Sequence, residues 1–111
     1  SDGPLLESIS WAAIARMPDF EARSVSNTAW SVARLCFVDR PLCDALASAA
    51  IPRHAELSCQ DLSNTPWAFA VLAFAHGPLL HAISAAAIRR MHEFSAQDLA
   101  NTSWALAGLQ C

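Results

Sequence analysis

The chain has 111 residues, 54% of them hydrophobic, with 23 alanines, three glycines, no tyrosine and no lysine. Seven arginines stand against ten acids for a net charge of -3; this argues against a domain that grips nucleic acid by charge alone, since such domains carry a basic stripe. The longest apolar run, Trp67 to Ala75, is far short of the ~20 residues that a membrane-spanning helix needs, and this length has room for one domain at most.

The sequence repeats itself. Trp30, Trp67 and Trp104 are 37 residues apart, and so are Asn27, Asn64 and Asn101, Ile14, Ile51 and Ile88, and Pro4, Pro41 and Pro78. The fold expected is all-α: an α-solenoid of three tandem 37-residue helical hairpins, about six antiparallel helices, in units of about 3–39, 40–76 and 77–111.

In unit one a first helix opens at Pro4, where a missing N–H costs nothing, and closes at Arg16. The second helix, through "RSVSNTAWSVARL", has only Glu21 and Ser24 at its start and is weakly capped. Unit two opens at Pro41, and Pro52 falls in the last turns of its first helix. "SCQD" then places Ser58 and Asp61 as a capping box. Pro66 lies inside this second helix, so a bend or a shortening is expected in unit two. Unit three repeats the design: "PLLHAISAAAIRRM" carries Leu79, Ile83 and Ala86/Ala87 on one face, a break follows at Met91–Phe94, and Ser95/Asp98 cap "SAQDLANTSWALAGL". The second helices are apolar nearly all round, so they must be covered on several sides.

Within this frame Trp30, Trp67 and Trp104 read as core plugs, with base stacking as the alternative. Asn27, Asn64 and Asn101, one turn earlier on the same face, read as amides bridging to a backbone carbonyl of the adjoining turn, or as ligand contacts. Arg16, Arg53 and Arg90 end the first helices. They complement the helix dipole there, or form a ladder of cations for phosphates. A column on the first helix changes from unit to unit: Glu7/Trp11, then Asp44/Ser48, then His81/Arg89. That variation suits modular recognition, and drift on a solvated face produces it equally. The four cysteines lack metal-site spacing and read as small buried thiols. No metal, no cofactor and no catalytic constellation is expected, so the protein is not read as an enzyme.

At "SAQDLANTSWALAGL", preceded by "AAAIRRM", the units resemble the octotricopeptide repeat, and "VSNTAWSVARL" resembles repeats abundant in dinoflagellates and other alveolates. The most specific part is Asp98–Asn101 followed by Trp104–Ala107. This resemblance implies a non-catalytic module that binds single-stranded RNA in a plastid or mitochondrion, for transcript stabilisation, processing or translation. The alternative it implies is a protein–protein scaffold, a structural subunit of an organellar ribosome or of a photosynthetic or respiratory complex. No signal peptide is visible. The apolar ends lead us to expect a segment of a longer repeat array, with further repeats or a protein packed on at least one end.

Overall fold

The computed structural model describes residues 3–110, with the side chain of Gln110 left aside; the expected third unit thus runs to Cys111, which lies outside the described residues. All the regular structure described is helical. The long helices are α1 (Gly3–Arg16), α2 (Ala22–Arg34), α3 (Arg40–Ala50), α4 (Cys59–Val71), α5 (Gly77–Arg90) and α6 (Ala96–Gln110). A one-turn 3₁₀ segment follows the first helix of every unit, at Met17–Asp19, His54–Glu56 and Met91–Glu93.

Local chemistry accounts for most helix ends. The Ser58 hydroxyl accepts from the Asp61 N–H at 3.0 Å, and the Asp61 carboxylate accepts from the Ser58 N–H at 3.4 Å. Ser95 and Asp98 repeat this exchange at 3.0 and 3.1 Å, so both capping boxes form. Glu21 caps α2 with no side-chain bond. Two caps have no counterpart in the sequence reading: Asp39 accepts from the Leu42 N–H, and His76 Nδ1 accepts from the Leu79 N–H. Of the two strained prolines, Pro52 shortens its helix, since α3 stops at Ala50 whereas α1 and α5 both run for 14 residues. Pro66 does not: it is buried in an α4 that continues unbroken to Val71.

The second helices of units one and two end in the same way. Cys36 and Ala73 adopt φ of 54°. Phe37 N–H then reaches Val32 C=O at 3.1 Å and Phe74 N–H reaches Phe69 C=O at 2.9 Å. These are Schellman closures with a non-glycine residue in the left-handed position.

The helices pack in two layers. First helices α1, α3 and α5 lie side by side, as do second helices α2, α4 and α6, with α2 against α3 and α4 against α5. Neighbouring units meet at every step, which is the packing expected of stacked hairpins. The core is apolar and mostly aliphatic, with Leu46, Leu62, Leu79, Ile83 and the Phe69 ring fully buried.

The tryptophans are not its plugs. Trp30 is 42% exposed, Trp104 is 56% exposed, and Trp67 is only half-buried. Alanines at 33, 68 and 105 and the Phe69 ring are buried instead, and of the three repeat indoles Trp67 is the one that packs against the core, along its edge. Cysteine burial is likewise mixed: Cys43 is buried, Cys59 half-buried and Cys36 exposed.

Phe69→Ala should therefore cost ~3–5 kcal/mol in urea unfolding, and Trp67→Ala clearly less. Cys36→Gly and Ala73→Gly should each stabilise the chain by about 1 kcal/mol, because glycine carries no Cβ penalty at positive φ. Equilibrium urea melts monitored by far-UV circular dichroism check both statements.

Candidate nucleic-acid interface

Each second helix presents one stripe to solvent at the spacing i, i+4, i+7 and i+11. In α2 it is Arg23, Asn27, Trp30, Arg34; in α4 it is Gln60, Asn64, Trp67, Val71; in α6 it is Gln97, Asn101, Trp104, Gly108. Because α2, α4 and α6 lie side by side, the stripes form columns across the units. Between them runs an open groove of about 520 Å³, lined by Asn27, Trp30, Arg34, Gln60, Asn64, Trp67, Gln97 and Asn101. A polar annex of about 360 Å³ extends it over Ser95 and Asp98.

The groove is rich in unused bonding capacity. Among the described residues, the side-chain amides of Asn27, Asn64 and Asn101 make no hydrogen bond within the protein. They do not bridge to a neighbouring carbonyl, because they stand on the open side of the layer. Each amide offers donors and an acceptor beside a partly open indole ring. The Arg34 guanidinium lies 5.5 Å from the Trp30 ring centroid, which sets a cation at one end of the groove. Arg23, exposed itself, pairs at 3.2 Å with the buried Asp61 carboxylate. Asp61 thus serves the cap of α4 and the contact between units together.

The other sequence candidates lie elsewhere. Arg53 crosses a unit boundary: its Nε donates to Phe20 C=O at 2.8 Å, and its terminal nitrogens donate to Ala49 C=O at 2.8 Å and Pro18 C=O at 3.1 Å. Arg90 does the same one unit on, donating to Leu57 C=O and pairing at 3.7 Å with Glu93. These two side chains are staples between hairpins in place of a row of open cations. Arg16 is exposed and has no such partner among the described residues. Glu7, Trp11, Asp44, Ser48, His81 and Arg89 are all exposed on the first-helix layer, and none lines the groove.

Sequence reasoning missed Arg23, Arg34, Gln60 and Gln97. The signal was present, since they share a helical stripe with the asparagines and tryptophans already singled out. Burial, the largest influence on Cys43, pushes its thiol up from the ordinary value. Among the described residues no group of three His, Cys, Asp or Glu side chains is placed to hold a metal ion, and no helix is long and apolar enough to cross a membrane.

Stacked hairpins with an open groove of amides and indoles define an all-α helical-repeat protein whose distinctive surface is carried by its second helices. The family model for the RNA-editing substrate-binding complex 6 protein matches residues 2–111, and the chain belongs to that RNA-associated family. No curated protein and no solved structure gives a significant match.

The staples have a simple test. Arg53→Ala removes three charge-assisted bonds and should destabilise the chain by ~2–3 kcal/mol. Arg16→Ala should stay within about 0.5 kcal/mol in dilute solution. Paired thermal and urea melts of the two variants would read the difference.

Proposed function

We propose that this chain is a non-catalytic module that holds single-stranded RNA along the second-helix groove, within an assembly that handles RNA-editing substrates in a plastid or mitochondrion. The observation that carries the reading is the column of unpartnered amides, Asn27, Asn64 and Asn101, each one turn from an indole. Aromatic faces stack on unpaired bases, and side-chain amides bond to base edges. The 37-residue register supports it, because it sets one such stripe on each unit. Membership of a family named for RNA-editing substrate binding supports it too. In this reading phosphates are met by Arg34 and Arg23, and the stripe position that differs in every unit is the one held by Arg34, Val71 and Gly108.

A second reading, a subunit that contacts protein without touching RNA, draws on the net charge of -3. It also draws on the absence of any arginine or lysine in the α4 and α6 stripes.

Fluorescence anisotropy with short single-stranded RNA at low salt separates the two. Trp30→Ala should weaken binding ~5–150-fold, equivalent to ~1–3 kcal/mol for a stacked base, while shifting stability by less than about 1 kcal/mol. The salt dependence should be shallow, about one or two phosphate contacts' worth. An absence of binding at low salt would leave the subunit reading.

A further inference from the structure

The groove between the second helices is open along its whole length, its middle included. Asn64 and Trp67 stand on α4, which has α2 on one side and α6 on the other, and both remain half-exposed there. What lies open also repeats without change, with asparagine at 27, 64 and 101 and tryptophan at 30, 67 and 104. An amide one turn before an indole on the same helix face lies beside the ring, so one flat ligand can touch both. Three identical sites make the same demand three times, and a strand that satisfies all of them carries the same base at each.

The lining chemistry decides which base. With Gln60 and Gln97 the groove holds five side-chain amides, and among the described residues none of the five is hydrogen-bonded within the protein. An amide sets donors beside an acceptor, so it pairs twice with an edge that does the same. Adenine has its N6 donor next to N7 on one edge and next to N1 on the other, and asparagine or glutamine meets it with two bonds. Guanine presents O6 and N7, two acceptors, and calls for the twin donors of an arginine or lysine. The stripes of α4 and α6 contain neither residue, and Arg34 on α2 lies against the Trp30 ring. Cytosine is read through its amino group by a carboxylate; no acid lines the groove, and Asp98 in the annex is committed to the cap of α6. Both pyrimidines also cover less of an indole face than a purine does.

On the RNA reading of this groove given above, we propose that it selects a run of adenines in a single strand, one adenine to each unit. The ring lies on Trp30, Trp67 or Trp104, while Asn27, Asn64 or Asn101 holds the N6 amino group and the ring nitrogen beside it. Stacking supplies affinity for any base, and the amides supply the choice among them.

Fluorescence anisotropy at one low salt concentration, with short labelled oligo(A), oligo(C), oligo(U) and an alternating adenine–guanine oligomer, tests the choice. Oligo(A) should bind at least about tenfold tighter than each of the others. An oligomer of N6-dimethyladenine keeps the ring and lacks the N6 donor, and it should lose that advantage. Asn64→Ala should weaken oligo(A) binding roughly 5–150-fold, and Asn64→Gln should recover part of the loss. Trp67→Ala should instead weaken all four oligomers alike. Urea melts should show Asn64→Ala folded as the parent, since the amide is partly open and has no internal partner. Equal binding of all four oligomers, or a preference for another base, would overturn the adenine assignment while leaving the RNA reading in place. So would an adenine preference that survives both Asn64→Ala and the dimethylated oligomer, because stacking alone would then account for it. Failure to bind any of the oligomers would overturn the RNA reading itself, and the adenine assignment with it.

Discussion

A guanidinium laid across a unit boundary onto main-chain carbonyls is the contact on which the stack depends. Each hairpin turns between its two helices through a short 3₁₀ segment, and that segment leaves carbonyls without helical partners. An unpaired carbonyl at a packing surface costs free energy comparable to a lost hydrogen bond. Arg53 meets Phe20 and Pro18 in this role, and Arg90 meets Leu57. Arginine suits the position because its planar fork reaches two carbonyls at once, which a lysine ammonium does on a looser stem. The aliphatic contacts, with Leu42 and Leu62 buried at successive boundaries, could slide along one another. The guanidinium bonds fix the register.

How much of this was legible follows from which features are local. The period is written directly in the spacing of identical residues, while the helix ends, the capping boxes of Ser58 and Ser95 and the shortening at Pro52 follow from residues within one turn of each other. The weak start of α2 at Glu21 was legible for the same reason. What sequence reasoning missed depends on which side of a helix faces a neighbour. A second helix that is apolar nearly all round gives no moment to read. Trp67 and Phe69, two residues apart, look equally suited to the core, and only the packing of α4 between α2 and α6 chooses Phe69. The arginines at 16, 53 and 90 were seen as a series, but their targets lie 33 and 35 residues away in the chain, beyond any helical spacing. Pro66 stays inside α4 because its neighbours bury it on a packed face, which compensates for the one backbone bond that it removes.

The candidate interface is a place where ordinary folding rules are relaxed. Large aromatic side chains left half-open, beside amides with no internal partner, do little for stability. The same stripe recurs in three successive helices, so the surface is a product of the repeat and not of one irregular site. Its cations are confined to α2, where Arg34 lies over Trp30 and Arg23 is tied to Asp61. Recognition along this groove would accordingly rest on ring faces and amide edges, with charge confined to one end.

The hydrogen bonds that join the units span between 29 and 39 residues, from Ser10–Asp39 to Thr65–Ser26. Each therefore closes a loop about one repeat long, at a modest entropic cost that does not grow with the number of units. Folding can begin at either junction and spread to the other. The mechanical counterpart is elasticity: tension on the two ends is carried by the junctions in series, so small rotations at each boundary add up along the stack. A groove built on such a spring can match its pitch to the rise of a flexible strand without unfolding any hairpin.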